Sequence, residues 1–165
     1  MSERIYGFPP VYRPDARILI LGSMPSVESL KQNFYYSHPR NTFWRIVSDI
    51  IAEKVPETID EKKGILIRNK IALWDTVGSC EREGSLDSAI RVAEANDFAM
   101  LFSTCPHIRY VFFNGAAAEQ LFIRMVGQDE AKYRYTRLPS TSPAYTLSYE
   151  KKLIAWKRAF EEAEI

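Results

Sequence analysis

The sequence predicts a three-layer α/β/α sandwich built on a mostly parallel four-stranded sheet. Four short runs are apolar and rich in β-branched or aromatic residues, the segments between them carry apolar residues at helical spacing, and the two kinds alternate along 165 residues. Strands separated by helices imply βαβ units, which set neighbouring strands parallel and cover the sheet with helices.

The runs from Arg17 to Leu21 (RILIL), Ile71 to Trp74 (IALW) and Tyr110 to Phe113 (YVFF) are continuously apolar, as suits strands covered on both faces. The fourth, Tyr133 to Leu138 (YRYTRL), alternates more and reads as an edge strand. Phe43, Val47 and Ile50, flanked by Trp44 and Ile51, form a first helical stripe. A second follows the Asn114-Gly115 turn and joins Ala117, Leu121 and Met125 with Ala118 and Phe122; a third joins Leu153, Trp156 and Phe160. The spans 60–68 and 86–102 are expected to be helical in part. No repeat, low-complexity tract or linker breaks the chain, so residues 1–165 read as one domain.

Composition narrows the function classes. Twenty-two basic residues against 21 acidic ones leave a formal charge of +1, which argues against a binder held by a large uniform positive field but leaves room for a local basic surface. Cys80 and Cys105 are the only cysteines and form no C-x-x-C pair, so a metal cluster on four thiolates is excluded. Two reduced thiols are expected, with a disulfide left open. The N-terminal MSERIYGFPP lacks the apolar core of a signal peptide, and no window approaches the roughly 18 apolar residues of a membrane span. A soluble, cytoplasmic protein is the expectation.

In folds of this class, ligands bind beyond the carboxyl ends of the strands. Four loops fall there: Gly22 to Ser26 (GSMPS), the segment from Asp75, the turn at Asn114-Gly115, and Pro139 to Ala144 (PSTSPA). Gly22 allows close approach of backbone to a ligand, and Pro25 stiffens its loop while removing one donor. Taken alone, a glycine and a proline after a strand are an ordinary turn. Phe34, Tyr35 and Tyr36 are less ordinary, because three successive aromatics cannot all face one side; at least one should line a cleft, where an aromatic face suits stacking on a planar base. Asn41 precedes an apolar-periodic run, a favoured place for a helix cap. His38 is a candidate acid, base or phosphate contact near neutral pH whose plainer role is to hold the loop. Asn114 is a turn residue and a minor candidate for a base or phosphate contact; Asp75 is a candidate to bond a base edge or cap the next segment; Ser85-Leu86-Asp87 reads as a helix cap.

The stretch from Gly22 to Trp44 closely resembles the first motif region of the uracil-DNA glycosylases, above all the mismatch-specific branch, where a G-x-N-P-G loop leads to F-P-F-A-H-P-x-N-x-F-W. Gly22, Pro25, Phe34, Tyr36, His38, Pro39, Asn41, Phe43 and Trp44 match it without a gap. The third loop position, an Asn that positions water in that branch, is Met24 here, which can neither accept a proton nor orient water. GSMPS combined with FYYSHPRNTFW is similar to the hypoxanthine-DNA glycosylase branch, which lacks a polar residue in the first loop and relies on the later Asn, here Asn41. Near the other end, Ser142 and Pro143 match the S-P of the second family motif, while Ser140 replaces its usual His or Asn.

The resemblance implies a monofunctional DNA glycosylase of base excision repair that hydrolyses the N-glycosidic bond of a flipped deaminated base, hypoxanthine foremost. It implies Asn41 as the catalytic residue, and Gly22, Ser23, Met24, Pro25, Tyr36 and Asn114 around the base. His38 and the loop of Ser140, Thr141, Ser142, Pro143 and Ala144 would meet DNA, with Ala144 or Tyr145 as the wedge that fills the vacated stack. No metal, cofactor or lysine nucleophile is expected. The partner is double-stranded DNA carrying a damaged base, with single-stranded DNA left open. Two alternatives stand beside it: a uracil or mismatch-specific glycosylase, and a nucleobase-binding module that has lost the reaction along with the polar residues at 24 and 140.

Overall fold

The computed structural model describes residues 3–164. Its centre is a parallel sheet of four strands: β2 (Ile18–Gly22), β3 (Ile71–Asp75), β6 (Tyr110–Asn114) and β7 (Arg134–Leu138), in the order β3-β2-β6-β7. Each lies within a residue or so of its expected span, and the alternating β7 is an edge strand, as its pattern suggested. Every residue of β2 and β3 is buried, as continuous apolar runs require of strands covered on both faces.

Helices cover both faces. Adjacent residues of a strand point to opposite sides, and Phe112 and Phe113 of β6 show which helices lie where. Phe112 meets Phe160 of α6 (Tyr149–Glu162) at a ring separation of 5.7 Å. Phe113 meets Phe122 of α5 (Ala116–Met125) at 5.4 Å. Phe122 in turn touches Phe98 of α4 (Phe98–Thr104), and Trp74 of β3 packs on that ring as well. On the other side α2 (Phe43–Ile51) sets Phe43 edge-on to Trp156 of α6. The expected stripes supply these contacts: Phe43, Trp44 and Val47 in α2, Ala118, Leu121 and Phe122 in α5, and Trp156 and Phe160 in α6 are all buried. The helix α3 (Ile59–Arg68) fills the expected span 60–68 and is capped by the Thr58 hydroxyl.

Two features depart from the sequence reading. The first is a second sheet, antiparallel, in the order β1-β4-β5, from β1 (Arg4–Tyr6), β4 (Val77–Glu81) and β5 (Arg91–Ala95). The span 86–102 holds a 3-10 turn (Asp87–Ala89) and the start of α4, so it is helical in part as expected, and the strand between them is what the sequence did not announce. β5 is mostly exposed, so no apolar periodicity announces it; pairing with β4 decides its conformation. The second is a short helix, α1 (Val27–Gln32), directly after the first loop, where the Ser26 hydroxyl accepts from the Ser29 amide. Cys80 and Cys105 are buried free thiols. Among the described residues, no helix is long and apolar enough to cross a membrane.

Candidate active site

The chain runs β2 to β3 in one direction across the sheet and β3 to β6 in the other. Connections therefore diverge between β2 and β6 and leave a crevice at their carboxyl ends. A cavity of about 110 Å³ lies there. All four strands contribute to its wall: Gly22 ends β2, Asp75 ends β3, Asn114 ends β6, and Ser140 to Ser142 follow β7. Roughly 300–1,000 Å³ is usual for drug-sized ligands, so the space suits a group smaller than a whole nucleotide.

The first loop lies along one side. Gly22, Ser23, Met24 and Pro25 all line the cavity. The Met24 side chain is buried with Val77, Cys80 and Leu121, so it serves as packing between the loop and the small sheet. Among the described residues, no backbone hydrogen bond engages the amides of Ser23, Met24 or Ser26, which leaves donors on this loop. Gly22 is a glycine for want of room: a Cβ there would meet the Asp75 carboxylate and, at 2.8 Å, the Tyr36 hydroxyl.

The three successive aromatics divide as their geometry demands. Phe34 and Tyr35 enter the core, and Tyr35 donates to the Pro9 carbonyl at 2.8 Å. Tyr36 is half-buried and lines the cavity, with its ring stacked on Phe43 at 4.2 Å. Its φ of 53° lies in the left-handed region, a conformation that costs a bulky residue about 1–2 kcal/mol and is held only when packing imposes it. Its hydroxyl is buried without a hydrogen-bond partner among the described residues, and burial pushes the phenol far above its ordinary range.

Asn41 also reaches the cavity wall. Its Oδ1 accepts from the Phe43 amide at 3.0 Å, so one side chain caps α2 and faces the cavity. That bond orients the amide, and no hydrogen bond among the described residues engages Nδ2. His38 is not in the wall: its Nδ1 accepts from the Arg40 amide at 3.1 Å, and its carbonyl accepts from the Asn41 amide at 2.9 Å. It holds the loop that presents Asn41.

Thr141 ties the far side together. Its carbonyl accepts from the Thr42 amide at 3.1 Å, and its own amide and hydroxyl bond the Asn114 side chain at 2.9 Å each. Asn114 thus spends its amide on Thr141, and lies beside the Tyr36 hydroxyl without completing a bond to it. Gly115 follows at φ 97°, where a Cβ would press on Ser140 at 3.1 Å. Ser140, Thr141 and Ser142 line the cavity, whereas Pro143 and Ala144 lie outward, Ala144 exposed. Lys152 of α6, buried and, among the described residues, without an acidic partner, donates from Nζ to the Ser142 carbonyl at 3.1 Å.

Several wall residues were underweighted or missed by the sequence reading. Ser85 and Asp87, expected only to cap a helix, cross to the first loop: Asp87 accepts from the Ser23 hydroxyl at 2.5 Å and Ser85 Oγ from the Val27 amide at 2.8 Å. Leu86 is the capping residue of the 3-10 turn and makes no side-chain cap. Arg82 is buried and donates to the Pro25 carbonyl at 2.5 Å, clamping the loop from behind. Asp75 is buried at 4% exposure, and its Oδ2 has no hydrogen-bond partner among the described residues. Desolvation foremost, then the charge of Asp87, pushes its carboxyl up to about 7 against the opposing pull of Arg82. No group of three or more His, Cys, Asp or Glu among the described residues is placed to hold a metal ion.

Comparison with known proteins agrees with this architecture. The family model of the uracil DNA glycosylase superfamily matches residues 9–164. A protein from Methanosarcina barkeri named hypoxanthine DNA glycosylase is 36% identical over 158 residues, covering 94% of this chain and 97% of its own. One of the same name from Methanosarcina acetivorans is 39% identical over 155 residues, covering 93% and 96%. A solution NMR structure from Methanosarcina acetivorans, described as a uracil DNA glycosylase, superposes with a TM-score of 0.83 at 36% identity, over 99% of this chain and all of that one. With the family model spanning nearly the whole chain and relatives aligned end to end, the chain belongs to the uracil DNA glycosylase superfamily.

Proposed function

We propose that this chain is a monofunctional DNA glycosylase that extrudes a deaminated base from double-stranded DNA, hypoxanthine foremost, and hydrolyses its bond to the sugar. The observation that carries the reading is the meeting of the Asn41 amide, the Tyr36 ring and the free-donor loop after β2 around one base-sized cavity. Two full-length relatives that bear the name hypoxanthine DNA glycosylase support the choice of base. A cytoplasmic site of action accords with the absence of any membrane-spanning helix among the described residues.

The target bond is stacked inside a duplex, so the nucleotide must swing out, at a few kcal/mol and less for a weakened pair. The base then lies against Tyr36. Amides of the loop from Ser23 to Ser26 receive its carbonyl as preorganised dipoles. As the C1′–N bond breaks, its electron pair goes to the base, water adds to C1′, and the proton released ends on the departing base. An amide is no strong base, so Asn41 works by holding water or base in line. The loop from Ser140 to Ala144, with its small polar side chains, lies on phosphates, and Ala144 or the exposed Tyr145 enters the vacated stack.

Two measurements test this. Asn41→Ala is expected to lower release from an inosine-containing duplex by about 100-fold or more, while the lost cap costs only about 1 kcal/mol of stability. Near-normal release by the variant would refute the assignment. In parallel, hypoxanthine should leave faster than uracil; a clear preference for uracil moves the chain to the uracil or mismatch branch, and binding of free base without excision of any lesion identifies a non-catalytic module.

A further inference from the structure

On the glycosylase reading above, we propose that Arg82 is a positioning residue for base release. By holding the Pro25 carbonyl on the far side of the first loop, it aims the Ser26 amide into the cavity, where that N–H receives the departing base.

The loop between β2 and α1 sorts its polar atoms. The carbonyls of Gly22 and Ser23 accept from the Thr76 and Val77 amides at 2.8 and 3.0 Å. The Pro25 carbonyl accepts from Nη2 of Arg82. Among the described residues every peptide bond is trans, so the C=O and N–H of one peptide point in opposite directions. The three anchored carbonyls share their peptides with the amides of Ser23, Met24 and Ser26. Those are the amides of this loop that no hydrogen bond among the described residues engages. All three residues line the cavity, and Arg82 is absent from its wall. Acceptors are thus drawn back towards β4, and donors stay free for a ligand.

The three anchors are not alike. Thr76 and Val77 hold through backbone, which substitution of their side chains does not remove. Among the described residues, the only hydrogen bond to the Pro25 carbonyl comes from Arg82, so the plane of the Pro25–Ser26 peptide depends on that side chain. Its neighbours are fastened separately: Asp87 takes the Ser23 hydroxyl and Ser85 Oγ takes the Val27 amide. Neither bonds the peptide that Arg82 holds.

The placement of Arg82 is expensive for a residue that only fills space. It is 6% exposed, and its Nε and Nη1 are buried with no hydrogen-bond partner among the described residues. No carboxylate there lies within ion-pair range of it. Asp75 and Asp87 act on it from a distance, and a guanidinium keeps its charge even when desolvated. An apolar side chain would fill the volume at lower cost. The charge has a use at the Pro25 carbonyl. A cation on a peptide oxygen draws electron density from the N–H of the same peptide and makes it a stronger donor. As the C1′–N bond breaks, its electron pair moves onto the base, so a fixed and strengthened donor favours the departing base over the base still joined to the sugar.

The test is single-turnover release from an inosine duplex, over enzyme concentrations that give both the limiting rate and the half-saturating concentration. Arg82→Met should lower the limiting rate by about 10–100-fold and leave the half-saturating concentration within about twofold. Arg82→Lys, which keeps a cationic donor, should recover most of that loss. A wild-type limiting rate in Arg82→Met, a change confined to half-saturation, or a lysine variant no faster than the methionine one overturns the proposal. Should either variant fail to fold, NMR of the wild-type protein decides, with an inosine duplex that a 2′-fluorinated sugar protects from cleavage. The Ser26 amide proton should move downfield on binding, and an unmoved proton overturns the proposal. If wild type releases no base, the glycosylase reading falls and takes this one with it; if wild type is active and its rate is insensitive to residue 82, only the role of Arg82 falls.

Discussion

The buried carboxyl of Asp75 makes stability depend on pH in a direction opposite to that of an ion-paired aspartate. In the unfolded chain the group ionises near 3.8; in the folded protein it holds its proton up to about 7. Between those values the folded state binds the additional proton, so stability is greatest below 3.8 and falls as pH rises towards 7. At 1.36 kcal/mol per pH unit, the step from about pH 5 to about pH 8 should remove about 3 kcal/mol. Asp75→Asn abolishes the titration while keeping the shape. Its buried amide adds a constant offset, but the pH dependence of that offset is nil. Urea unfolding of both proteins at steps across this range gives the comparison. The wild-type stability should decline relative to the variant by this amount, most of it below pH 7. Curves that stay parallel within about 0.5 kcal/mol would show that the carboxyl is ionised or solvated in the folded state, and the argument from burial would fail.

Two further outcomes follow from packing. Gly22→Ala drives a methyl into the Asp75 carboxyl and the Tyr36 hydroxyl, both buried, and should cost about 1–3 kcal/mol in the same unfolding assay; a loss below about 0.5 kcal/mol would mean that the strand end yields freely. Lys152→Met removes the ammonium that holds the Ser142 carbonyl and should destabilise by about 1.5–3 kcal/mol. It should also speed hydrogen exchange at the Ser142 and Ala144 amides, which are bonded within that loop; unchanged exchange would show that the loop does not need its fastener.

The fold was legible because its determinants are local. The strands β2, β3 and β6 are continuous apolar runs, and the stripes of α2, α5 and α6 repeat at helical spacing, so each element carries its own signal. The second sheet carried none. β4 mixes apolar with small and charged residues and β5 is mostly exposed, and such strands exist through their partners. The same divide runs through the site. Gly22, Tyr36 and Asn41 lie in one motif whose residue types announce themselves. Asp87 and Arg82 belong to a connection without periodicity, and only folding brings them against Ser23 and Pro25.

What the amino-acid sequence determined alone, then, is the order of the central strands and of the helices that cover them, the positions of the loops at those strand ends, and the chemistry that each loop carries. What the tertiary structure decided is the state of that chemistry: an Asn114 amide spent on Thr141, a Met24 side chain turned into packing, and an Asp75 carboxyl left unpartnered beside Gly22. The physical reason is range. Periodicity and turn preference act between near neighbours and can be read along the chain, whereas desolvation and hydrogen-bond partnership depend on every group that folding packs around a side chain.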